Sequence, residues 1–132
     1  MSLTFWDLQD PNDSMNGARV DNSDALAGLF RSLRGRKPFM FELLRGNGPM
    51  LTVGMAGDCG TVQFSASDGR PPYEMAIGDE TGGEEDFVEF LVGNTPTPVP
   101  KKFCLPIETL QKVVQDFLVH GRKSTAVRWD EI

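Results

Sequence analysis

The sequence predicts a single α+β domain in which two helices pack on an antiparallel meander sheet of about five to seven strands. Three observations lead to this class. The chain has 132 residues, which suits one domain spanning residues 1–132. Its 14 glycines and 9 prolines exceed average usage and favour many turns. Two segments carry apolar residues at helical spacing, and the other apolar segments are short, as in strands.

The N-terminal part predicts a strand, a loop and a helix. Residues 3–8 are aromatic and β-branched, as in strands, whereas residues 9–23 are rich in the turn-forming Asp, Asn, Gly and Pro. Ser23 or Asn22 can cap the helix that follows. Its apolar face comprises Ala25, Leu26, Leu29, Phe30 and Leu33. We expect Gly35 to end it.

The middle of the chain predicts four or five strands in an antiparallel meander. They lie at residues 39–44, 50–55, 61–66, 73–77 and 87–92. Asn47–Gly48 indicates a hairpin between the first two, since both residues tolerate positive φ, and short connections imply antiparallel neighbours. Prolines exclude residues 95–100 from a central strand, so we expect this segment to cross an edge of the sheet.

The C-terminal part predicts a second helix and a last short strand. Pro106 suits the first turn of a helix, and Gly121 suits its left-handed terminator. The apolar face between them comprises Ile107, Leu110, Val113, Val114, Phe117 and Leu118. Residues 126–129 form the predicted last strand.

The charge of the chain is acidic and unevenly distributed. Nineteen acidic and thirteen basic residues give a net charge of −6, which argues against a nucleic-acid-binding surface and favours basic partners. Residues 71–100 contain no Lys or Arg. Their acidic residues are Glu74, Asp79, Glu80, Glu84, Glu85, Asp86 and Glu89. We call residues 71–100 the acidic segment. The rest of the chain therefore sums to about +1, so the acidity is local.

Composition also bears on the compartment. No apolar run approaches the roughly 20 residues that span a bilayer, so we expect no membrane association. Residues 1–13 contain neither a basic residue nor a sustained apolar stretch, so we expect no signal peptide and a cytoplasmic protein. Cys59 and Cys104 fit that compartment as reduced core residues.

Sequence motifs for catalysis, metals and cofactors are missing. His120 is the sole histidine, so a Ser-His-Asp or Cys-His arrangement could be built around no other residue. With one histidine and two cysteines, a Cys/His zinc site is nearly excluded. We interpret His120 as a partly exposed residue at a helix end. The acidic run lacks the spacing of a calcium loop, and Gly54, Gly57 and Gly60 lack the Lys–Ser/Thr of a phosphate-binding loop. We therefore expect no enzyme and no cofactor.

From about Leu26 to the end, roughly four-fifths of the chain resembles immunity protein family one of bacterial polymorphic toxin systems. The motifs include Asp-Gly-Arg-Pro-Pro-Tyr at 68–73, Val-Glu-Phe-Leu-Val-Gly at 88–93, Thr-Pro-Val-Pro at 97–100 and Ala-Val-Arg-Trp-Asp-Glu at 126–131. The first twenty residues lie outside this resemblance. It implies a protein that binds and neutralises a toxin encoded beside it, often a nuclease or nucleic-acid deaminase. It implies no catalytic residues.

The residues and the resemblance together predict a non-enzymatic inhibitor whose carboxylates meet a basic toxin domain. We expect Trp6, Tyr73 and Trp129 to lie in the core or to be half-buried. Tyr73 is also a candidate anchor for a partner, because it directly precedes the seven acidic residues within 71–100. The predicted partner-binding residues are Tyr73, Glu80, Glu84, Glu85, Asp86 and Glu89. We expect a monomer or weak homodimer.

Two alternatives stay open at this point. The first is a self-associating adaptor or structural domain that pairs strands through residues 95–100. The second is a small hydrolase.

Overall fold

The computed structural model of the chain describes residues 2–66, 70–78 and 86–132. Its helices are α1 (Ser23–Leu33) and α2 (Ile107–His120). Its strands are β1 (Leu3–Asp7), β2 (Arg19–Val20), β3 (Phe39–Leu44), β4 (Met50–Ala56), β5 (Cys59–Ser65), β6 (Tyr73–Ile77), β7 (Phe87–Val92), β8 (Thr95–Pro100), β9 (Leu105–Pro106) and β10 (Arg128–Glu131). The predicted α+β class is confirmed. Among the described residues the sheet has ten strands, more than the expected five to seven, because two-residue strands and the proline-rich segment also pair.

The main path of the sheet runs β10-β6-β5-β4-β3-β1-β2, with antiparallel neighbours. β3 to β6 form the predicted meander, and the Gly48 N–H donates to Arg45 O at 3.1 Å in the hairpin turn between β3 and β4. β7 leaves this path, because β10 occupies the edge beside β6. It lies beside β3 instead, in parallel orientation, with Phe39 opposite Leu91.

Both helices cover one side of the sheet, which we call the inner face. Alternate residues of the strands point to this face, since strand side chains alternate between faces. The largest fully buried strand side chains of this cluster are Leu3, Phe5, Phe39, Phe41, Leu43, Leu51, Met55 and Leu105. Leu26 and Phe30 of α1 and Leu110 and Phe117 of α2 pack against them. Burying each such side chain contributes about 2 kcal/mol, so this cluster is the principal core.

The helix ends follow the local signals in the sequence. Asn22 is the N-cap of α1, and its side-chain oxygen accepts the Ala25 N–H at 2.8 Å. α1 ends at Leu33 with Arg34 as its C-cap, one residue before the expected terminator Gly35, which does not adopt a positive φ. Gly121 ends α2 with a φ of 70°, a left-handed conformation that costs least in glycine.

β7 and β8 form a hairpin that covers one end of the opposite side of the sheet, the outer face. Phe90, Val99, Met75 and Phe103 form a second buried cluster there. Phe90 reaches it because Gly54 has no side chain: a Cβ at Gly54 would lie 2.9 Å from the Phe90 ring. Covering apolar sheet surface explains why β7 lies here rather than extending the meander.

The proline-rich segment at residues 95–100 is a strand, β8, whereas we expected only a crossing of the sheet edge. It pairs with β7 alone, so its exclusion from a central position is confirmed. Pro96, Pro98 and Pro100 occupy every second position. Because N–H direction alternates along a strand, Thr95, Thr97 and Val99 supply the donors to β7, and the outward edge of β8 has none from the prolines.

The predicted loop at residues 9–23 contains the short strand β2 and is held by Asp7. The Oδ1 atom of Asp7 accepts the N–H groups of Gln9 and Asp10 at 2.7 and 2.9 Å. The Arg36 guanidinium lies 2.8 Å from Asp7 Oδ2. Burial alone would raise the pKa of Asp7, but the hydrogen bonds and Arg36 together lower it. Asp7 therefore joins the first strand to the segment that follows α1.

Candidate functional site

The predicted acidic site lies only partly within the described residues. Glu80, Glu84 and Glu85 fall outside them. Asp86 and Glu89 are exposed at the start of β7, close in sequence to Phe87, which is 52% exposed. Tyr73 is half-buried at the start of β6. Asp86 and Glu89 thus lie on the same hairpin, where alternation along the strand directs them to opposite sides, while Tyr73 lies on a different strand.

Basic residues approach the acidic segment in ways that the sequence pattern did not indicate. Pairing of β7 with β8 brings Lys101 to Asp86, whose carbonyl oxygen accepts the Lys101 N–H at 2.8 Å. Lys101 and Lys102 are both exposed. Glu74 forms an ion pair with Lys123. Two of the described acidic residues, Asp86 and Glu74, therefore have a lysine as a neighbour in the fold.

The outer face has a second surface, beyond the part that the β7–β8 hairpin covers. Strand register places its side chains in two adjacent rows. One row contains Trp6, Glu42, Thr52 and Gln63, and the other contains Thr4, Leu44, Met50, Ser65 and Tyr73. We call these residues the open face. Most of them are half-buried and Trp6 is exposed, so water reaches this face in the free protein.

Glu42 lies near the centre of the open face, on β3 between β1 and β4. It is half-buried, and burial raises the pKa of its carboxyl. Among the described residues it has neither a hydrogen bond nor an ion pair. A carboxylate held in this way is costly to the free protein, because it is withdrawn from water without a compensating partner.

Trp6 is directly opposite Glu42 across the β1–β3 pair. Trp6 is 45% exposed, so the expectation that it is core or half-buried was wrong. Position 6 faces outward, and the helices cover only the other side of β1. Trp129 and Tyr73 are half-buried, as expected. The Trp129 indole N–H donates to Ser124 O at 2.9 Å, which identifies Trp129 as a structural residue.

Comparison with protein families identifies the chain. The model of the family described as immunity protein Imm1 matches residues 15–131. The chain belongs to the Imm1 family. A member of this family has a cognate toxin as its partner. The predicted resemblance is confirmed, although the match begins at residue 15, so the expectation that the first twenty residues lie outside it was wrong for 15–20. The search of curated proteins gave no match.

A polar cleft of this immunity protein lies at the end of α2, and Lys112, Asp116 and Lys123 in its lining are already paired with other residues of the chain. The Asp116 carboxylate accepts a hydrogen bond from the Ser124 hydroxyl at 2.5 Å, and it forms an ion pair with Lys112 Nζ at 3.0 Å. The Ser124 hydroxyl is the main cause that lowers the pKa of Asp116. His120 lines the cleft and is exposed at the helix end, the position predicted for it.

The two cysteines of the immunity protein are free and adjacent. Cys104 is buried, and burial raises the pKa of its thiol to about 11, with smaller contributions from the neighbouring Cys59. A thiol with this pKa is a poor nucleophile near neutral pH. Within residues 2–66, 70–78 and 86–132, no group of three or more His, Cys, Asp or Glu is placed to hold a metal ion. No helix in this part of the chain is long and apolar enough to cross a bilayer.

Sequence reasoning missed Glu42 and Trp6 as functional candidates. Glu42 carried a usable signal, since it is the single charged residue in the otherwise apolar segment at residues 39–44. Trp6 carried none, because its exposure depends on which side of β1 the helices cover.

Proposed function

We propose that this immunity protein neutralises its toxin by stoichiometric binding in the cytoplasm, and that the toxin is a nuclease or nucleic-acid deaminase. The observation that carries this proposal is the family match together with the concentration of carboxylates in residues 71–100. A toxin that acts on nucleic acid needs Lys and Arg around its active site. A protein with a strongly acidic surface can occupy the same electrostatic field.

In this proposal the acidic segment guides the toxin into the complex. Glu80, Glu84, Glu85, Asp86 and Glu89 supply attraction to basic groups, and Tyr73 anchors the contact. The exposure of Asp86 and Glu89, close in sequence to the exposed Phe87, supports this assignment. Charge complementarity mainly accelerates association, with rate constants that approach about 10⁸ M⁻¹s⁻¹ at low salt. Rapid capture protects the host before the toxin damages its nucleic acid.

Coexpression with the C-terminal domain of the toxin encoded beside this protein tests the proposal. We expect survival of the cells and copurification of the two proteins in a 1:1 complex. Survival without a complex would instead indicate an enzymatic antidote and would overturn stoichiometric inhibition.

Charge-neutral variants test the role of the acidic segment. Replacing Glu80, Glu84, Glu85 and Glu89 with Gln and Asp86 with Asn should slow association at low salt by about tenfold or more and flatten its salt dependence. Stopped-flow association rates over a range of NaCl concentrations provide the measurement. Unchanged rates and salt dependence would show that the toxin does not approach this segment.

The structure disfavours self-association through β8, the basis of the adaptor alternative. An added strand needs donors as well as acceptors along the sheet edge. The three prolines of β8 remove the outward donors at alternate positions, so this edge is poorly suited to pairing with a second copy.

A further inference from the structure

We propose that the open face is the surface that holds the bound toxin, and that a Lys or Arg side chain of the toxin pairs with Glu42 there. This inference rests on the proposed function, because it assigns the contact that retains the toxin after capture. The acidic segment and the open face then have different tasks. The first governs the association rate, and the second governs the dissociation rate.

The position of Glu42 favours an ionic contact that becomes buried in a complex. Glu42 is already half-buried and lacks a partner among the described residues. A basic group brought to it from outside would find a carboxylate that water solvates poorly. Ion pairs that are desolvated by the partner affect dissociation more strongly than those at an interface rim.

The surroundings of Glu42 are suited to excluding water from such a contact. Trp6 is directly opposite on β1, and the adjacent row of the open face contains Leu44, Met50 and Tyr73. Tryptophan and tyrosine are enriched among residues that dominate binding energy, and a surrounding ring of apolar contacts shields the central polar contact. The stems of Lys and Arg can also pack on an indole ring.

Charge identifies the occupant as a basic protein surface. In a twofold dimer built on the open face, the same patch would be used twice, which would bring two Glu42 carboxylates close together without a described counter-ion. Nucleic acid would meet the same repulsion. Among the strand residues whose register places them on this side of the sheet, the basic ones are Arg19 and Arg128, and they lie on the edge strands β2 and β10 rather than beside Glu42. Arg19 forms an ion pair with Asp21.

Binding kinetics of single variants test the inference. The probe is the purified C-terminal domain of the neighbouring toxin, immobilised for biolayer interferometry. Glu42→Gln and Trp6→Ala should each raise the dissociation rate by about 30-fold with little change in association rate. Glu131→Gln is the matched control, because Glu131 is also a strand glutamate but is exposed and belongs to the β10 row on the side of the sheet that the helices cover. It should leave both rates unchanged, and a thermal melt of each variant verifies folding.

The outcomes separate this inference from the proposed function. If the wild type binds and the acidic-segment variant slows association, but Glu42→Gln and Trp6→Ala dissociate at the wild-type rate, the open face is not the interface and the proposed function stands. If the folded wild type does not bind the toxin domain, both are overturned. Faster dissociation confined to the two open-face variants supports the inference.

Discussion

At the scale of single residues, Glu42 differs most from what its place in the strand requires. A half-buried position on the outer face of β3 suits an uncharged side chain, polar or apolar, because such a side chain avoids the free-energy cost of burying a charge. Because burial raises the pKa of Glu42 in the folded state, the folded protein binds a proton there more strongly than the unfolded chain does. The stabilisation that proton binding at Glu42 gives the folded state is therefore lost as pH rises from about 4.5, the ordinary glutamate pKa, through the raised pKa.

Glu42→Gln should stabilise the free protein at pH 7 while weakening toxin binding. The amide cannot ionise, so the loss of stability above pH 4.5 that Glu42 causes should disappear. Urea unfolding followed between pH 4 and pH 8 measures the effect, with Glu131→Gln as the control that shows no such gain. A variant less stable than the wild type at pH 7 would show that Glu42 already has a favourable partner in the free protein.

Arg36→Ala should destabilise the protein by about 2 kcal/mol at pH 7, because it leaves the buried Asp7 carboxylate without its cation. The lowered pKa of Asp7 means that this stabilisation is present above pH 3.8 and is lost as pH falls below it. The difference from the wild type should shrink toward pH 3. Lys37→Ala, at the exposed neighbouring position, is the control, and its change should stay below about 0.5 kcal/mol.

At the scale of elements, the local signals located helices and strands well. Asn22 and Gly121 mark helix ends through interactions with residues within one helical turn, so the sequence alone reveals them. The bounds of β3, β6 and β7 follow from short apolar runs between turns. The partners of β7 and β10 could not be predicted in this way. They depend on contacts between distant residues, such as Phe90 against Gly54, which no local pattern records.

Pro96→Thr combined with Pro98→Thr should promote self-association. The two replacements restore N–H groups on the outward edge of β8, which makes it competent to pair with another strand. Sedimentation velocity should show a larger weight-average sedimentation coefficient than for the wild type. Thr97→Val, at a position whose N–H faces β7, is the control and should sediment like the wild type. Equal sedimentation of all three proteins would mean that the prolines do not protect this edge.

At the scale of the whole molecule, the sequence located the acidity but not its final surroundings. Folding brings Lys101 to Asp86 through the β7–β8 pairing, and it brings Lys123 to Glu74, which is far from it in the sequence. The open face was likewise invisible, since Trp6 and Glu42 are 36 positions apart in the sequence and meet only through the β1–β3 register. The family likeness supplied the role, and the fold supplies a surface for it.

The central claim is that a toxin covers the open face in a stoichiometric complex, and fluorine NMR tests it most directly. The chain has two tryptophans, Trp6 and Trp129, so 5-fluorotryptophan labelling gives one signal on the open face and one on the inner face. Trp6→Phe and Trp129→Phe variants assign them. An unlabelled toxin domain adds no signal.

On titration with the toxin domain, the Trp6 signal should shift and lose its sensitivity to exchange of H₂O for D₂O, saturating at one equivalent. The Trp129 signal should stay nearly unchanged, because Trp129 lies on the inner face, where it packs against the principal core and its indole N–H donates to Ser124 O. A 1:1 complex isolated by gel filtration in which the Trp6 signal keeps its position and its solvent sensitivity would contradict the account.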